Sequence, residues 1–366
     1  MKKGLSILFL IVLASSVWCQ SNLKFERYTI NDGLSQSSVT SIVQDVNGFI
    51  WIGTQDGLNK FDGYNFTIYK NSGKHQSELS GNYVNTLFKS FDNLIYIATT
   101  KGVSVYNPFT DKLSTLKGSF SNLSNYSVTT ITEDYARNIY FGTDGDGVFK
   151  YNPKLKTIER YSMKKLNPSS SDRITSISSI QDGGFLIGCS NFGIWFTEDF
   201  KKIQRLETQD YNENIKFINQ IGRRVYIGTD QSVYMMNAHR LIPFDKNLDS
   251  LFGQTKYTSV FEESSSKVWF GTESKGLISS DGRGPFKEFN DYSYDHYQNF
   301  SLSDDQVNSI YKDNSGVIWI GTNQGISKFD VNKQGFELFS MSNSPEKGII
   351  GLNVWSISED AEEDYF

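Results

Sequence analysis

Three histidines, His75, His239 and His296, are the first places to look for proton transfer or metal ligation in this 366-residue chain. They stand far apart, without the close ligand spacing of a zinc site, and offer no histidine-based catalytic pair. Asp144-Gly-Asp-Gly147 begins like a calcium loop but lacks the later ligands and the closing Glu. Asp182-Gly-Gly184 sits where other repeats carry a turn, so it is no phosphate cradle. Glu262-Glu263 and Glu362-Glu363 read as solvated turn residues. No catalytic set, metal site or cofactor is therefore expected. What remains is binding chemistry, carried by aromatic faces and planar polar side chains in loops. The candidates are His75, Asn82 and Tyr83, then Asn125 and Tyr126, then Asp172 and Arg173. Tyr211, Asn212, Tyr292, Tyr294, His296 and Tyr297 complete the set. The last four lie in an aromatic insertion, Asn290 to Phe300, longer than the corresponding links elsewhere.

The elements that must position these loops recur. Val39 to Asp62, VTSIVQDVNGFIWIGTQDGLNKFD, reads strand, turn, strand, turn, strand, and Asn65-Phe-Thr-Ile-Tyr69 adds a fourth strand. The Gly53-Thr54 step returns at Ala98, Gly142, Gly188, Gly228, Gly271 and Gly321, at spacings of 45, 44, 46, 40, 43 and 50 residues. Two residues before each step stands Trp51, Tyr96, Tyr140, Leu186, Tyr226, Trp269 or Trp319. A strand opener stands 14 residues before most steps: Val39, Val84, Val128, Ile174, Tyr257 or Val307. The unit around Gly228 fits with one residue deleted. Four antiparallel strands in seven copies predict an all-β fold, a seven-bladed β-propeller. The repeated aromatics are read as packing between blades, Gly53 as a point of close approach, and Thr54 as a hydrogen-bonding group for the next turn.

Ring closure has two readings. Lys24 to Ile30 resembles a fourth strand without a blade of its own and would complete the last blade, hiding an edge. Gly335-Phe-Glu-Leu-Phe339 competes for the same place. An eighth copy starts at Asn353-Val-Trp-Ser-Ile-Ser-Glu-Asp360, matching Gln306 to Asp313. The expected organisation is thus a signal peptide at 1–20, the propeller at 21–352, and the start of a second propeller at 353–366, in a fragment of a longer protein.

Composition narrows the partners. Lys and Arg number 36 against 41 Asp and Glu, net −5, with no basic block, so nucleic acid is not an expected partner. Lys2-Lys3 followed by the 14-residue apolar run Leu5 to Trp18 suits a secretory signal with cleavage near Cys19-Gln20. Trp18 stands where lipoprotein processing wants a small residue. With Cys19 and Cys189 the whole complement, disulfides are not the framework, and a large hydrophobic core must hold the fold.

Gly33 to Gly63, GLSQSSVTSIVQDVNGFIWIGTQDGLNKFDG, resembles the two-component regulator propeller repeat, and Phe25 to Leu34 resembles the usual entry to its first blade. Asp313-Asn-Ser-Gly316 and Val317 to Thr322 carry the same likeness, which extends over residues 24 to 366 and is weakest around Gly188 and Gly228. The resemblance implies the periplasmic sensor region of a bacterial hybrid histidine kinase, anchored in the inner membrane. It implies a second propeller, C-terminal signalling domains and an oligosaccharide ligand, and it leaves room for a homodimer. The segment itself is expected to be no enzyme. A secreted lyase or glycan hydrolase and a protein-interaction scaffold are the other readings of the same ring.

Overall fold

The computed structural model describes residues 23–330, leaving aside 74–78, 117–122, 124, 208–213, 238–239, 254, 283–287 and 299. Seven four-stranded antiparallel sheets form the ring that the repeat predicts. Blade one runs outward from Val39–Gln44 through Ile50–Thr54 and Gly57–Phe61 to Phe66–Tyr69. The other inner strands are Val84–Lys89, Val128–Glu133, Ile174–Ser179, Ile215–Ile221, Tyr257–Ser264 and Val307–Lys312, and each packs on its neighbours around a central channel. The irregular fifth unit opens at Ile215, and its missing residue falls in the short turn between Ile221 and Arg224. Among the described residues the only helical elements are Ile30–Asp32, Met163–Leu166 and Lys246–Phe252.

The blade module holds together for reasons the side chains make plain. Trp51 is fully buried, and its indole Nε1 donates to Asp45 Oδ2 at 2.8 Å. The same spacing of six recurs from Trp319 Nε1 to Asp313 Oδ2 at 2.8 Å, from Trp269 Nε1 to Glu263 Oε2 at 2.7 Å, and from Tyr140 Oη to Asp134 Oδ2 at 3.0 Å. A large aromatic can be buried at this place because its one polar atom is satisfied by the turn acid. This corrects the reading of Glu262-Glu263 as solvated: Glu263 holds Trp269, and Glu262 accepts from Tyr226 Oη and Arg224 Nη1, each at 2.8 Å. Thr54 Oγ1 donates to Gly57 O at 3.0 Å and accepts from Asp56 N at 3.2 Å, as expected of the Gly-Thr step. Cys189 is buried, which pushes its thiol up to about 12 and leaves it an inert core residue.

Gly321 shows why the step needs a glycine. A methyl group there would stand 2.5 Å from both Val39 Cγ1 and Ser309 Oγ, where blade seven meets the opener of blade one. Gly321→Ala is expected to cost about 1–3 kcal/mol through overpacking, read as a lower denaturant midpoint with an unchanged slope.

The ring is closed by the N-terminal strand. Glu26–Tyr28 pairs with Gly325–Asp330 in the register Glu26↔Lys328, Arg27↔Ser327, Tyr28↔Ile326, and completes blade seven. Phe25, only 2% exposed, sets its ring edge-on against Phe329 at 5.3 Å and Tyr292 at 6.1 Å. Of the two readings of closure, the first holds. Gly335 to Phe339, the signal at 1–20 and the repeat start at 353–366 lie outside the described residues.

Candidate functional site

Strand direction divides the ring into two faces. One carries the links from each outer strand to the next inner strand, and the other carries the turns that follow the inner strands. The described loop candidates belong to the first, the connector face, and the structure assigns several of them to holding the fold. Asn82 accepts from Gly57 N at 2.8 Å through its carbonyl and from Asn71 N at 2.6 Å through Oδ1, tying blade one to blade two. Tyr126 accepts Gly102 N at 2.9 Å through its carbonyl, and its ring packs 5.2 Å from Phe149. Arg173 Nε donates to Asp144 Oδ1 at 2.8 Å, and Asp172 accepts from Ser162 Oγ at 2.7 Å. Tyr83 is 39% exposed, with its carbonyl accepting from Thr100 N. His75, Tyr211 and Asn212 lie outside the described residues.

The aromatic insertion divides. Tyr292 is not in the loop: it ends the outer strand Glu288–Tyr292 of blade six, opposite Leu277, and packs 5.8 Å from Trp269. Tyr294, His296 and Tyr297 do come together. Tyr294 Oη lies 3.2 Å from His296 Nδ1, the His296 and Tyr297 rings meet edge-on at 5.5 Å, and Tyr297 is 93% exposed. Arg27 of the closing strand anchors this loop. Its Nε donates to Ser301 O at 2.7 Å, and its guanidinium lies 5.4 Å from the Tyr294 ring centre. The three rings therefore form one exposed edge between blades six and seven. Asn82, Tyr83, Tyr126 and Arg173 stay on the far blades, one to four. Among the described residues no cluster of His, Cys, Asp and Glu is arranged to hold a metal ion.

The opposite face holds the large concavity. A cavity of 980 Å³ opens where the inner strands of blades two to six run into their turns. One position of the repeat shapes it. Paired across from each repeated aromatic stand Val43, Phe88, Thr132, Ser178, Asn219, Phe261 and Tyr311 in turn. Blades two, six and seven place a ring there, whereas blades three, four and five place a hydroxyl or an amide. Phe88 and Phe261 thus line the cavity at its two ends, and Thr132, Ser178 and Asn219 line it between them. Phe91, 58% exposed, and Tyr135, 67% exposed, stand at its lip. Glu133 accepts from Phe91 N at 2.7 Å and faces Arg137 at 3.8 Å, while burial pushes its carboxyl up. Lys89, Asn93 and Asn219 also line the cavity, and their side chains bond to nothing among the described residues. Sequence reasoning missed this site because it sought rings in the links; the signal was the change from aromatic to small polar at one repeat position.

Residues 33–56 and 301–324 match the family described as two component regulator propeller. Blades one and seven carry two-component regulator propeller repeats. The chain is 49% identical over 76 residues to histidine kinase P4 of Formosa agariphila, a match covering 20% of this chain and 6% of that protein. In shape it is similar to the extracellular domain of the hybrid two component system BT3049 from B. thetaiotaomicron. That likeness has a TM-score of 0.74 and 25% identity, over 93% of this chain and 46% of that one. The corresponding domain of BT4673 gives a TM-score of 0.68 at 20% identity over 94% of this chain and 44% of its own, a likeness of fold alone. A streptogramin B lyase shares the fold at 12% identity, with a TM-score of 0.64 over 84% of this chain and 98% of the lyase. The chain thus spans less than half the length of the extracellular domains it resembles.

Proposed function

We propose that this chain is the ligand-sensing propeller of a hybrid two-component regulator, exported to the periplasm, and that it binds an oligosaccharide without chemically changing it. The observation that carries the reading is the likeness to the BT3049 extracellular domain over 93% of the chain, joined to the regulator repeats. Attached signalling domains, a second propeller among them, would carry the bound state toward a kinase, and a homodimer would suit such a receptor. The exposed rings of Tyr294, His296 and Tyr297 support the ligand class, since stacking edges beside hydrogen-bonding groups suit sugars. Tyr292 is withdrawn from the contact set because it packs on Trp269. Arg173 is engaged with Asp144, and Asn82 with the backbone of blade one and its following link.

The test is calorimetry of the intact extracytoplasmic region against glycan fragments, with product analysis after long incubation. Binding that survives chelators and leaves every glycan intact is expected. Turnover of a bound glycan would replace the sensor by an enzyme, and heat from no fragment would remove the oligosaccharide reading.

A further inference from the structure

We infer that the cavity on the turn face is a sugar-binding site, distinct from the exposed rings of the connector face, which takes the end of an oligosaccharide. This rests on the reading above that the ligand is a glycan fragment. A sugar ring presents an apolar C–H face and an edge of hydroxyls, and therefore needs two unlike walls. The cavity lining supplies both kinds of surface: the rings of Phe88 and Phe261 where it begins and ends, at blades two and six, and Thr132, Ser178 and Asn219 on the blades between. Its 980 Å³ stands at the upper end of the about 300–1,000 Å³ usual for small-ligand pockets, enough for more than one sugar unit.

Phe88 and Phe261 are partly buried against the cores of their blades, and the rest of each ring lines the cavity. The same repeat position holds a large ring in blades two, six and seven, so the fold accommodates bulk there, and smaller residues in blades three to five leave the space open. Two groups facing that space are also unused. The Asn219 amide and the Lys89 ammonium have no partner among the described residues, although both stand at the channel. Thr132 Oγ1 accepts from Ser179 N at 3.1 Å and Ser178 Oγ donates to Ser179 O at 3.2 Å, and each hydroxyl keeps acceptor capacity beyond that bond. Phe91 and Tyr135 at the lip supply further faces where the chain of sugars leaves the cavity.

The repeat itself provides the variant that tests this. Ser178→Phe with Asn219→Phe writes the blade-two and blade-six residue type into blades four and five and fills the cavity. Asn219→Leu, as a second variant, removes the amide with little change of volume. Both are compared with the parent by calorimetry against oligosaccharides of defined length, after circular dichroism and thermal unfolding confirm the fold. At least tenfold weaker binding in the filled variant, with a smaller loss in Asn219→Leu, is expected. Equal heats in parent and filled variant would overturn the cavity as the site and leave the sensor reading intact. No heat from any oligosaccharide in the parent would overturn both.

Discussion

Trp319→Ala is expected to lower stability by roughly 3–5 kcal/mol, the range for truncating a buried large aromatic. Trp319 is 4% exposed, lies 5.8 Å from Phe61 of blade one and 6.3 Å from Tyr28 of the closing strand, and is covered by the Lys328 ammonium at 5.2 Å. It therefore joins three segments that meet at the closure. Its loss also removes the donor to Asp313 Oδ2. Trp319→Phe separates the two contributions: it keeps a ring in the interface but forfeits the indole N–H, and about 1–3 kcal/mol is expected for that loss. Denaturant unfolding of the three proteins is the measurement. Coincident midpoints would show that the interface between blades seven and one does not depend on this side chain.

Deleting residues 24–28 should have a still larger effect, comparable with the about 5–15 kcal/mol of total stability usual for a domain. The deletion removes the pairing of Glu26 to Tyr28 with Ile326 to Lys328 and the buried ring of Phe25. It also removes Arg27, whose Nε bond to Ser301 O anchors the aromatic loop. The edge of Gly325–Asp330 would be left open to any other strand. A broadened thermal transition and concentration-dependent association in light scattering are the expected results. A monomer melting at the parent temperature would mean that another segment, such as Gly335 to Phe339, takes the vacant edge.

Much of this architecture was legible because each blade repeats the same physical problem. An opener such as Val39, a glycine such as Gly53 beneath the next opener and an aromatic such as Trp51 must recur wherever radial sheets pack at one spacing. The acid six residues before the aromatic was visible as a turn residue only. Its role as the indole's partner depends on the turn curling back, which side-chain type does not report. Closure was ambiguous for a similar reason. Outer strands such as Phe66–Tyr69 are half solvated, so their sequence pattern is weak and two segments fit equally. The site was the least legible part. Tyr292 and Tyr294 look alike in sequence, yet one ends a strand against Trp269 and the other faces solvent beside His296. Phe88 and Ser178 likewise occupy one repeat position, and only the closed ring reveals that both line one cavity.

The closure by residues 26–28 has a kinetic consequence. The Lys328 ammonium reaches the Tyr28 hydroxyl at 2.9 Å across 300 residues of chain. The strand synthesised first therefore waits longest for its partner, because six blades and three strands of the seventh must exist before its seat does. Contacts of such sequence separation are slow to form, and an unfinished sheet is exposed to wrong partners in the meantime. Each blade can gain local order soon after its own residues appear. The ring becomes a single cooperative body only in one late, long-range step.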